Sequence, residues 1–139
     1  MLHNKNLLHY QNLPFTNGTP WLHVNNNYET INAEAALADK DSIFYYYQRL
    51  IQLRKELDVI TTGDFELLMR NDPNVFAYQR RDEGEALVVL CNFSDKEVDL
   101  NQKVVKAIKD ASVLITNENK DQATKTLQPY EGTVFRIMA

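Results

Sequence analysis

The hydrophobic positions change their spacing near residue 63. Upstream of that point, residues 43–57 carry apolar side chains every three or four positions, which predicts one amphipathic helix. Its apolar face consists of Ile43, Tyr46, Tyr47, Leu50, Leu53 and Leu57. Residues that cap a helix or favour its positive end stand just before it, at Asp39, Asp41 and Ser42.

Residues 1–32 are rich in Asn and show no sustained periodicity, so they are predicted to form a long loop. A loop of this length is ordered only where its large side chains cover a surface. The candidate anchors are Phe15, Trp21, Leu22 and Tyr28. Residues 33–38 are predicted to form a short helical turn.

Beyond residue 63 the pattern becomes that of short strands separated by turns. The predicted strands span 64–69, 75–81, 86–93, 96–100, 111–116, 123–127 and 133–138. The sequence Asn71-Asp72-Pro73-Asn74 is a strong turn signal, and residues 82–85 form a second one. Strand 86–93 contains Leu-Val-Val-Leu-Cys, which predicts a central strand covered on both faces. Residues 103–109 fit either a strand or a helical turn.

This pattern predicts a mainly β fold, an antiparallel, Greek-key-like β-sandwich preceded by a long loop and one amphipathic helix. It divides the chain into residues 1–57 and residues 58–139. The first part has no second layer of its own. Its helix must therefore cover its apolar face with the sandwich or with something outside this sequence.

Composition narrows the classes of function. The chain of 139 residues has 15 Lys and Arg against 19 Asp and Glu, so no basic surface for nucleic acid is expected. No apolar run approaches the length of a membrane span, and no secretory signal is recognised, so a cytoplasmic protein is predicted. The single cysteine, Cys91, lies in an apolar strand, which favours a buried and unreactive thiol.

The sequence offers no recognisable catalytic or metal-binding motif. His3, His9 and His23 have neither helical nor zinc-finger spacing, and no phosphate-binding glycine loop or nucleophile elbow is found. The acidic residues fall mostly in turns and at helix starts, where solvation or capping explains them. We therefore predict no catalytic residue, no cofactor-binding residue and no metal ligand.

Several segments in this order resemble one family of enzymes. They are Phe15-Thr16-Asn17-Gly18-Thr19-Pro20-Trp21-Leu22, Val24-Asn25-Asn26-Asn27-Tyr28, Asp41-Ser42-Ile43-Phe44-Tyr45-Tyr46-Tyr47, Leu50-Ile51-Gln52-Leu53-Arg54-Lys55, Val75-Phe76-Ala77-Tyr78 and Leu87-Val88-Val89-Leu90-Cys91-Asn92-Phe93-Ser94. Together they are similar to the carboxy-terminal part of α-glucosidases of the α-amylase family. These include oligo-1,6-glucosidases, dextran glucosidases and trehalose-6-phosphate hydrolases.

The resemblance implies a (β/α)8 barrel followed by a carboxy-terminal β-sandwich. Residues 15–57 then correspond to the loop and helix that finish the barrel, and residues 58–139 to the sandwich. The resemblance also implies an Asp nucleophile, a Glu acid/base and a second Asp on earlier barrel strands. This sequence contains none of those strands. The substrate-cleft motif expected before Phe15 is replaced by unrelated residues.

Two hypotheses follow from the resemblance. The chain is either a fragment of an α-glucosidase, inactive on its own, or a stand-alone module that binds glucan or another protein. Trp21 and surface tyrosines are the sugar-stacking candidates of the second hypothesis. The apolar helix face, if exposed, predicts a homo-oligomer formed through it.

Overall fold

A computed structural model describes residues 21–22 and 25–138. The chain separates into two compact units, one ending at Arg49 and the other beginning at Leu50. Most of the loop predicted over residues 1–32 lies outside the described residues. The domain division after residue 57 stays a prediction.

The first unit contains one complete helix and the beginning of a second. Helix α1 spans Ala33–Ala38, as predicted, and the side chain of Asn32 caps it by accepting a 2.8 Å hydrogen bond from a first-turn backbone N–H. Helix α2 spans Ile43–Glu56. Ser42 precedes it, but its hydroxyl donates a 2.6 Å hydrogen bond to the Ala36 carbonyl. This hydroxyl therefore links α1 to the start of α2.

Two of the predicted loop anchors remain in solvent. Trp21 is 91% exposed and Leu22 is 62% exposed, so the prediction that they hold the loop down is wrong for these two residues. Tyr28 is partly buried, and Phe15 lies outside the described residues. Burial of Trp21 requires a surface that the described residues of this unit do not provide.

The second unit contains the remaining elements. They are α3 (Val59–Thr62), β1 (Asp64–Leu67), β2 (Val75–Arg81), β3 (Glu85–Asn92), β4 (Val98–Asp99), α4 (Gln102–Ala107), β5 (Ser112–Thr116), β6 (Thr126–Leu127) and β7 (Gly132–Met138). All seven predicted strands are present, although β4 and β6 are shorter than expected. Helix α3 was not predicted.

The strands form an antiparallel β-sandwich, which confirms the predicted fold class. The larger sheet has the order β1-β2-β3-β7-β5, and the smaller sheet pairs β4 with β6. Strand β3 is central, as its apolar sequence predicted. Strand β7 pairs with β3 after the chain has passed through the smaller sheet, which gives the Greek-key-like order.

The sandwich core lies between the two sheets. Val88, Leu90 and Phe135 point into it from the larger sheet, and all three are fully buried. The smaller sheet and α4 close it from the other side with Leu127 and Val104. The undecided segment 103–109 is mostly helical, because the Asn101 side chain caps α4 at 2.9 Å.

A buried polar network holds the segment before β7. The Glu131 carboxylate, only 1% exposed, pairs with the Lys120 ammonium and accepts a 2.7 Å hydrogen bond from the Thr133 hydroxyl. Its second oxygen accepts from the Gln128 backbone N–H at 2.9 Å. No buried side-chain polar atom among the described residues lacks a partner.

Candidate functional site

The face of the larger sheet that points away from the sandwich core carries a second hydrophobic cluster. Leu53, Leu57 and Val59 pack there against Leu87 of β3. Further apolar side chains join them from α3, β5 and β7, namely Ile60, Leu114, Ile115 and Val134. The end of α2 and α3 are thus fixed to the outer face of the sheet.

This cluster corrects the expected exposed helix face. Leu53 is 3% exposed and Leu57 is 8% exposed, so the sandwich, one of the two covers considered for the helix face, covers these two residues. They are therefore not part of the exposed face through which self-association was expected. The sheet covers them because Leu87 and Val134 supply an apolar surface on its outer side. Ile43 and Tyr47 do remain open, at 86% and 63% exposure.

The same outer face continues beyond the cluster as an uncovered aromatic surface, which we define as Phe65, Phe76 and Tyr78. Phe65 and Phe76 are about half exposed, and Tyr78 is partly buried between them, with ring centroids 5.2 and 5.4 Å away. Cys91 lies directly opposite Phe76 on β3. Opposite residues of paired strands share a face, so this thiol belongs to the same surface.

Arg80 marks the boundary between the covered and uncovered parts of this face. It lies opposite Leu87, a member of the helix-covered cluster. Its guanidinium donates a 3.0 Å hydrogen bond to the Gly63 carbonyl, just after α3, and lies 5.8 Å from the Phe65 ring centroid. The aromatic surface therefore begins where the helical segment ends.

Burial within this surface shifts two titratable groups. It raises the pKa of the Cys91 thiol above its ordinary value. The pKa of the Tyr78 hydroxyl is raised mainly by burial and secondly by the neighbouring Cys91. Both groups are protonated at neutral pH, so the surface carries no negative charge from them.

The rings do not form a flat platform. Phe65 and Tyr78 are tilted by 33° to each other, and Phe76 and Tyr78 by 50°. Sites for small molecules combine aromatic side chains with a few convergent polar groups that fix the ligand's orientation. Two phenylalanines and a half-buried tyrosine favour contact with protein.

The sequence contained a signal for this surface that our prediction missed. Along β2, Val75, Ala77 and Gln79 face the core, and larger residues alternate with them on the other face. A strand with an ordinary solvated face would carry polar residues at positions 76 and 78. Phe76 and Tyr78 instead indicate a second apolar layer.

An open groove at the opposite end of β3 is lined mainly by carboxylates. They are Glu56, Asp58, Asp82, Glu83 and Glu85, with Arg136 and Met138. Asp82 accepts 2.9 Å hydrogen bonds from two backbone N–H groups of its turn, and Glu85 pairs with Arg136 at 2.5 Å. Turn capping accounts for Asp82, and ion pairing accounts for Glu85.

The prediction that the chain has no metal ligand can be compared with the structure only over the described residues. Within residues 21–22 and 25–138, no three His, Cys, Asp or Glu side chains are grouped so that they could hold a metal ion. His3, His9 and His23 lie outside the described residues. The absence of catalytic, cofactor and metal residues therefore stays a prediction.

None of the described helices is long and apolar enough to cross a membrane.

Comparison with known families defines the class of this chain. The model for the maltogenic amylase C-terminal domain matches residues 65–134, half of the chain, and the α-amylase catalytic domain model matches residues 9–63. The chain belongs to the α-amylase family and joins the end of a catalytic domain to a carboxy-terminal β-sandwich.

Individual relatives agree with this assignment. The chain is 44% identical over 131 residues to trehalose-6-phosphate hydrolase of Bacillus subtilis, covering 91% of this chain and 23% of the relative. It is 42% identical over 125 residues to an oligo-1,6-glucosidase of Halalkalibacterium halodurans, covering 87% and 22%. The crystal structure of Bacillus licheniformis trehalose-6-phosphate hydrolase aligns with a TM-score of 0.79 at 43% identity, covering 88% and 23%. The chain thus spans less than a quarter of these relatives' length.

Proposed function

We propose that this chain is the carboxy-terminal portion of an α-glucosidase, without catalytic activity of its own, and that it stabilises the catalytic barrel. One observation carries the proposal. Leu53, Leu57 and Val59, from the segment matched by the catalytic domain, share a hydrophobic cluster with Leu87 of the sandwich. This packing supports the proposal that the sandwich stabilises the end of the catalytic domain.

The lack of catalysis follows from the chemistry of glycoside hydrolysis. That reaction needs two carboxyl groups held about 5–10 Å apart on either side of the scissile bond. In the family, these groups stand on barrel strands that this sequence does not contain. In the acidic groove, Asp82 caps its turn and Glu85 pairs with Arg136, which leaves these two carboxylates unsuited to the task.

A direct assay tests this proposal. The purified chain is incubated with p-nitrophenyl α-glucoside and with isomaltose, and glucose or p-nitrophenol is measured. We expect no release. Turnover that persists through a second, different purification would contradict the proposal, while saturable binding of dextran or maltodextrin would support the glucan-binding module instead.

We also propose that the isolated chain self-associates through the open part of the helix face. The support is the exposure of Ile43 and Tyr47 on α2, since Leu53 and Leu57 are already covered by the sheet. Sedimentation velocity over a wide concentration range should show a rising mean mass. A single monomeric species throughout would refute this.

We propose, finally, that the protein is located in the reducing cytoplasm. The support is that Cys91 is the only cysteine of the sequence, since proteins of oxidising compartments commonly carry disulfides.

A further inference from the structure

We draw no further inference here: the strongest candidate, the exposed aromatic patch of Phe93 and Tyr130 where the turn after β3 meets the turn before β7, is an unpartnered apolar surface, and nothing in the structure shows what covers it.

Discussion

Leu53→Ala is the substitution that most sharply tests how the helical segment is held on the sheet. Leu53 is 3% exposed and packs in the outer cluster with Val59 and Leu87. The change removes three buried carbon atoms, which at about 0.8 kcal/mol each gives about 2.4 kcal/mol. A residual cavity adds to this, so we expect a loss of about 3 kcal/mol in the free energy of unfolding.

Urea unfolding followed by far-UV circular dichroism measures the loss. Ile51→Ala is the matched control on the same helix, because Ile51 is 45% exposed. Alanine's better helix propensity offsets part of its smaller burial loss, so we expect about 0.5 kcal/mol or less. A loss for Leu53→Ala no larger than that of the control would refute the packing of α2 on the sheet.

The remaining predictions concern the turn after α3, the buried network and one surface ion pair. Gly63→Ala should destabilise the chain by about 1–3 kcal/mol in thermal unfolding, because the new Cβ would lie 2.6 Å from a backbone oxygen, whereas Gly84→Ala, with its nearest atom at 3.8 Å, should have little effect. Glu131→Gln should cost about 2–3 kcal/mol in urea unfolding, because it leaves a mostly buried ammonium without its counter-charge; an unchanged midpoint would contradict this. The hydrogen bond and charge of Lys103 lower the pKa of the Glu66 carboxyl below its ordinary value. The stabilising contribution of this pair is therefore present above the unfolded-state pKa and is lost as the pH falls through the folded-state pKa. Carboxyl-detected NMR should show that pKa rise in Lys103→Ala, and an unmoved value would exclude the pairing.

Local signals were sufficient for most of the sandwich. The turn at residues 71–74 and the alternation in residues 75–81 define the β1–β2 hairpin, and Asp72 accepts two 2.9 Å hydrogen bonds from backbone N–H groups there. The continuous apolar run of β3 correctly indicated a central strand, whose outer face is covered at Leu87. Such features depend on neighbouring residues, which the sequence shows directly.

The failures involve partners that are distant in sequence. The sequence left the cover of Leu53 and Leu57 undecided because Leu87 and Val134, which cover them, lie on strands β3 and β7. The prediction missed the aromatic surface because it rested on the hairpin turns beside β2. It did not use the residues on the face of the strand that carries Phe76. Trp21 shows the reverse error, since a large side chain was expected to find a surface and is 91% exposed.

The most direct test of the account is the hydrolase activity of a chimera in which this chain replaces the matching segment of the Bacillus subtilis trehalose-6-phosphate hydrolase. Three proteins are compared under identical conditions: the chimera, the host enzyme lacking the matching segment, and this chain alone. We predict that the chimera hydrolyses trehalose 6-phosphate, while the shortened host and the isolated chain do not. Full activity and thermal stability in the shortened host, or an inactive chimera, would contradict the claim that this chain stabilises the catalytic barrel of an α-glucosidase.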